Sequence, residues 1–215
     1  PTTYQVTGSV HIGMSTEQLV IHNNHAYVTG WSFNNKVYKI DCNTDQLVDS
    51  VTVGKQPNSI VLDKNQKLWV LSDGGYEGSP YGNEKPAITR IDAVSFTVEQ
   101  VFEFPDINNS PMMLCLNASK DILYYINGGW GSAGLNGSGI FSMPVTAASL
   151  PLDPFIPENS RMFYGLGFDR EESVIYVSDA VDYTQNGYVF RYTVSGEKID
   201  SFAVGISPGS FCFKY

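Results

Sequence analysis

The chain has 215 residues, 42% hydrophobic and 16% charged, enough for one or two domains with a sizeable core. Thirteen Lys and Arg stand against 22 acids, a formal charge of −9, and such a surface repels nucleic acid and anionic lipid. No apolar run nears the roughly 20 residues of a membrane-spanning helix. The start, Pro1-Thr2-Thr3-Tyr4, shows neither the basic stretch nor the apolar segment of a signal peptide.

Taken in chain order, the predicted elements are almost all strands. Residues 4–10 read as a fourth strand without its sheet. Gln18-Leu19-Val20-Ile21, a turn at Asn23-Asn24 and Ala26-Tyr27-Val28-Thr29-Gly30 then read as a β-hairpin. The same order recurs three times. Ser59 to Leu62 leads to Leu68-Trp69-Val70-Leu71-Ser72-Asp73, Met113 to Leu116 leads to Leu123-Tyr124-Tyr125-Ile126-Asn127, and Gly165 to Phe168 leads to Val174-Ile175-Tyr176-Val177-Ser178-Asp179. A third strand follows each hairpin, at Lys36 to Ile40, Ala87 to Ile91, Gly139 to Met143 and Tyr188 to Tyr192. A fourth is clear at Leu47 to Val53, Val98 to Phe104 and Lys198 to Val204. In the third repeat the stretch Pro151 to Pro157 predicts an irregular edge, because proline removes a ladder donor. Residues 210–214 read as a first strand without the rest of its sheet.

The key aromatic of each second strand is Tyr27, Trp69, Tyr124 or Tyr176, at intervals of 42, 55 and 52 residues. Four strands per repeat of about 40–50 residues define a propeller blade. The expected fold is therefore all-β, a β-propeller of four-stranded antiparallel blades forming a single domain over residues 1–215. The two orphan strands predict an open ring, with two or three further blades preceding residue 1 in a parent chain; a small closed ring is the alternative. Cys42, Cys115 and Cys212 show no metal or disulfide spacing, and the last two sit in apolar runs as small buried hydrophobes.

The repeats resemble the YncE-like family of seven-bladed propellers. The likeness is clearest in Ala26-Tyr27-Val28-Thr29-Gly30-Trp31, in Lys36-Val37-Tyr38-Lys39-Ile40-Asp41 and in Val51-Thr52-Val53-Gly54-Lys55-Gln56-Pro57, and the third repeat departs from it at Met143-Pro144. The ending Gly209-Ser210-Phe211-Cys212-Phe213-Lys214 is similar to surface-layer lipoprotein propellers of gut-type Gram-negative bacteria. The resemblance implies a seven-bladed ring at the bacterial cell surface. It also implies capture of a nutrient, cobalamin in some members, for an outer-membrane transporter. Fold likeness by itself specifies no function.

In a propeller the loops between second and third strands share one face with the linkers between blades. Here each such loop carries a ring near its start: Trp31, Tyr76, Trp130 and Tyr183. Tyr81, Asn83, Asn136, Asp182 and Asn186 accompany them, as does Asn34. Aromatic faces supply apolar contact and amides fix orientation, a combination suited to a large neutral ligand. The same rings also suit a structural role, capping the edges of their own blades. The acids Asp73, Glu77, Glu84, Asp179 and Asp182 lack EF-hand spacing and read as solvated loop charge. The glycine-rich Asn127 to Gly134 lacks the Gly-Lys-Ser/Thr of a phosphate loop. All three histidines, His11, His22 and His25, fall in the first repeat, and no Gly-x-Ser-x-Gly elbow is present. No catalytic residue, metal ligand or cofactor is assigned. The expectation is a non-enzymatic, surface-exposed module for a corrinoid or glycan, with a lactonase-like hydrolase and a protein-interaction scaffold as the alternatives.

Overall fold

The computed structural model describes residues 5–6, 8–128 and 137–215. Those residues form sixteen strands in four antiparallel sheets of four, and no helix is found among them. The first sheet holds β1 (Thr16–His22), β2 (His25–Gly30), β3 (Lys36–Asp41) and β4 (Gln46–Thr52). The second holds β5 (Pro57–Leu62), β6 (Lys67–Ser72), β7 (Ala87–Asp92) and β8 (Thr97–Glu103). The third holds β9 (Pro111–Leu116), β10 (Ile122–Asn127), β11 (Gly139–Pro144) and β12 (Ile156–Pro157). The fourth holds β13 (Phe163–Asp169), β14 (Val174–Asp179), β15 (Asn186–Tyr192) and β16 (Lys198–Ile206). Within each sheet the strands are paired in chain order.

Local chemistry explains the hairpins. Asn23 and Asn24 form the two-residue turn between His22 and His25, both with positive φ (45° and 60°), the conformation that matches strand twist and that Asn tolerates. The Ile-Asp ending of a third strand has a comparable basis. Ile40 and Ile91 are buried, and the next residue turns the chain: Asp41 Oδ1 accepts Asn43 N–H, while Asp92 Oδ1 accepts Val94 and Ser95 N–H. Blade four does the same with the Thr193 hydroxyl, which accepts Ser195 and Glu197 N–H. Blade three has Pro144 at this place, and its fourth strand shrinks to two residues, the irregular edge that its prolines predict.

The core lies between the blades. One buried cluster joins Tyr27 and Val37 to Ile60, Leu68 and Phe96. A second joins Trp69, Leu71 and Phe102 to Leu123, Tyr125 and Phe141, and a third joins Tyr124 and Ile140 to Phe168, Ile175 and Val177. Two of the key aromatics, Tyr27 and Tyr124, pin their blade to the next. Tyr27 O–H donates to Ala93 O at 2.7 Å and its ring meets Phe96, while Tyr124 stacks on Phe168 at 6.0 Å. The cross-strand partners of the key aromatics place a cation over the ring in three blades: Lys39 over Tyr27, Arg90 over Trp69 and Arg191 over Tyr176, at 5.6–5.9 Å.

The two chain ends differ from expectation. Neither residues 210–214 nor the described part of 4–10 forms a strand. A strand requires a ladder of backbone hydrogen bonds; the described residues of 5–9 are exposed, and the C-terminal segment makes ring contacts instead. Phe211 and Phe213 pack on Tyr176, at 5.7 and 5.2 Å, where the next blade would meet its key aromatic. Gly167 makes room for them, since a Cβ there would stand 2.9 Å from that of Phe211. Cys212 is exposed instead of buried; Cys115, in β9, is half-buried, and burial pushes its thiol up to about 12.

Candidate functional site

In all four blades the first strand breaks register near the end that faces the second-to-third loop. The breaks fall between Thr16 and Leu19, between Pro57 and Ser59, opposite Tyr124 to Ile126 in β9, and between Phe163 and Leu166. A bulge leaves a residue out of the ladder and re-aims its side chain. Gln18, Asn58, Met113 and Tyr164 occupy these bulges, and all four line one cavity of about 930 Å³. Met113 accepts a φ of 57° to do so. Side chains hold the bulged strands together across blades. Gln18 Oε1 accepts from the Ser59 hydroxyl at 3.1 Å and from Ile60 N at 3.3 Å, and Ser59 Oγ accepts Leu114 N–H at 3.0 Å.

Loops complete the wall. Trp31 follows β2 directly, with its N–H on Ser15 O at 2.9 Å. Its indole lies within electrostatic reach of Asp73, which accepts Gly75 N–H at 2.9 Å and the Asn58 amide at 3.3 Å. Burial raises the Asp73 carboxyl above its ordinary value, and these donors offset part of that rise. Tyr76 and Asn83 ride the loop that starts at Gly74. Gly74 N donates to Lys55 O, and Gly74 O accepts Glu84 N–H. Gly74 has φ of +83° and passes so near Glu84 that a Cβ would lie 2.2 Å from its carbonyl oxygen. The linker between blades two and three adds Ile107, Asn108, Asn109 and Ser110. Asp106 shapes that linker by accepting Asn108 N–H at 2.9 Å.

Trp31, Tyr76 and Asn83 are thus brought together on one wall. Trp31 is 38% exposed and Tyr76 55%, so neither ring is spent capping its own blade. Tyr81 lies next door. It stacks on Phe33 at 5.0 Å over a side pocket of about 150 Å³ that shares Gln56 and Gly75 with the main cavity, and Asn34 lines this pocket too. Tyr183 stands behind the wall, edge-on to the cavity-lining Tyr164 at 5.3 Å, and burial raises its phenol. Asp182 and Asn186 do not line the cavity. Asp182 closes its own loop by accepting the Thr184 and Gln185 backbone N–H groups, and Asn186 opens β15 paired with Ile206. The Gln185 amide, first among several donors, lowers the Asp182 carboxyl. Trp130 and Asn136 lie outside the described residues. The bulge residues and the 107–110 linker were missed from sequence, because a single extra residue leaves no mark on a strand's composition.

The histidines are remote from this wall. His22 Nε2 bonds the Gln66 side chain, and His25 Nδ1 bonds Asn23 O, both around the turn after β1. Among the described residues no three His, Cys, Asp or Glu gather as a metal site.

No family model matches the chain, and no curated protein sequence does. Solved structures do match. Hydrazine synthase of Kuenenia stuttgartiensis aligns with a TM-score of 0.72 at 14% identity, over 95% of this chain and 58% of its own. The Dos1 propeller aligns at 0.65 and 13%, over 92% and 49%. A quinonprotein alcohol dehydrogenase-like protein of Bacteroides thetaiotaomicron aligns at 0.63 and 17%, over 87% and 45%. The chain therefore spans about half the length of the solved chains it matches. The blades and these neighbours define a β-propeller, and at such identities the likeness concerns the fold alone.

Proposed function

We propose that this chain is a non-enzymatic ligand-binding propeller that works at a bacterial cell surface, within a larger ring of the YncE-like kind. Its ligand is a nutrient, a corrinoid such as cobalamin or a glycan, passed on to an outer-membrane transporter. One observation carries the reading: the first strands of all four blades bulge toward a single cavity whose loops add the exposed rings Trp31 and Tyr76. Its size, about 930 Å³, lies near the top of the range for small-molecule sites. Amides surround the rings, from Gln18, Gln56, Asn58, Asn83, Asn108 and Asn109, and they suit a ligand rich in hydroxyl or amide groups.

The test is a calorimetric titration of the whole chain with cyanocobalamin and with neutral oligosaccharides. At least one is expected to bind. Trp31→Ala is expected to weaken that binding about tenfold or more with the fold unchanged. Absence of binding by every probe, a protonated glucosamine oligomer included, or unchanged affinity in Trp31→Ala, refutes the reading.

A further inference from the structure

The charge on the cavity wall carries the reading further. Glu17, Asp73 and Glu77 line it, and among the described residues no Lys, Arg or His does. None of the three carboxylates forms an ion pair among the described residues. Lys55 lines the side pocket beside Tyr81. Residues 129–136, outside the described residues, contain no charged side chain, and the chain as a whole carries −9. Like charges around one concave wall focus a negative potential into it.

Among the described residues these acids do not gather as a metal site. What they adjoin is aromatic. Trp31 and Asp73 line the same cavity with the indole within electrostatic reach of the carboxylate, so a half-exposed ring stands beside an acid. Tyr76 precedes Glu77 on the neighbouring loop. An ammonium gains from both partners, from the carboxylate by charge and from the ring face by its quadrupole.

We propose that the ligand taken by this cavity is cationic: a hydroxyl-rich molecule bearing protonated amines, of which an oligomer of glucosamine is the simplest type, with the amines directed to Asp73, Glu77 and Glu17 and the sugar faces on Trp31 and Tyr76. This rests on the ligand-capture reading above and narrows it. The amide-rich remainder of the wall binds the hydroxyl groups, and acidic sugars are repelled.

Three probes of one length separate charge from shape: a glucosamine hexamer with its amines protonated, its fully N-acetylated counterpart, and a galacturonic acid hexamer. Calorimetry with the whole chain is expected to show the amine form binding about tenfold or more tighter than the N-acetylated form, with no binding of the acid. Glu77→Gln, an exposed substitution that leaves the fold intact, should narrow that gap about threefold or more, and raised salt should narrow it too. Asp73→Asn should narrow it further. Equal affinity for the amine and N-acetylated forms overturns the cation proposal and leaves ligand capture standing. A gap unchanged in both Glu77→Gln and Asp73→Asn overturns it as well. Failure of all three hexamers to bind overturns the cation proposal, and the cyanocobalamin titration then decides the capture reading separately.

Discussion

Ser59 offers the sharpest test of how the blades are held around the cavity. It is 1% exposed, and its hydroxyl does two things at once: it donates to Gln18 Oε1 of blade one and accepts the Leu114 N–H of blade three. Ser59→Ala keeps the Cβ and removes both bonds. The Leu114 N–H is then a buried donor without a partner, which costs about 1–3 kcal/mol. Gln18 Oε1 still accepts Ile60 N–H, so its loss is at most that of one ordinary hydrogen bond, about 0.5–1.5 kcal/mol. Together these predict a destabilisation of about 1.5–4.5 kcal/mol, a large share of a typical domain's stability. Urea unfolding reads it as a fall in midpoint at constant slope. Ser195→Ala, whose hydroxyl pairs with Thr193 in an exposed turn, is the control and should change stability by less than about 0.5 kcal/mol. If Ser59→Ala falls inside the same limit, the hydroxyl does not join three blades and the argument fails.

Two further outcomes follow from buried and crowded positions. Glu158 is 1% exposed, accepts the Phe163 N–H at 2.9 Å, and has its carboxyl pushed up by burial to about 7 from an ordinary 4.5. The folded chain then holds a proton that the unfolded chain has released, so this group's contribution is complete below about pH 4.5 and lost as pH rises to about 7. Glu158→Gln, which can still accept the Phe163 N–H, should therefore melt higher than the parent at pH 8 and equally at pH 4.5; parallel melting curves would show the reasoning to be wrong. Gly74→Ala should drive a Cβ against the Glu84 carbonyl and displace the loop bearing Tyr76 and Asn83. Ligand affinity should fall several-fold, with a stability loss of more than about 1 kcal/mol, and a variant that binds and melts like the parent would show that the loop tolerates the change.

The blades were legible because strand signals are local. Alternating apolar residues, a polar turn and one large ring per second strand mark each hairpin, and the register found in the structure follows them closely, from Tyr27 opposite Lys39 to Tyr176 opposite Arg191. The prolines of blade three announced its two-residue outer strand for an equally local reason. The chain ends were misread because apolar alternation does not state whether a partner strand is present. Phe211-Cys212-Phe213 has strand-like composition, yet its rings settle on Tyr176 and Gly167 without a ladder.

The site divides along the same line. Trp31 and Tyr76 could be placed from sequence because each stands next to a strand whose end is fixed, so topology brings them to one face. Asp182 and Asn186 had the same apparent claim, but Asp182 accepts the backbone N–H groups of Thr184 and Gln185, two and three residues on, and so folds back on its own loop away from the wall. The bulges form the remainder. At Gln18, Asn58, Met113 and Tyr164 the residues differ in size, polarity and charge preference, and what they share is only a position where the ladder slips. A slip of this kind is stabilised by partners far along the chain, as Ser59 shows by bonding residues 41 positions before it and 55 after it. The cavity is therefore a property of blade-to-blade contact. Substitutions at those contacts, distant from any ligand in sequence, should alter binding as strongly as changes in the rings themselves.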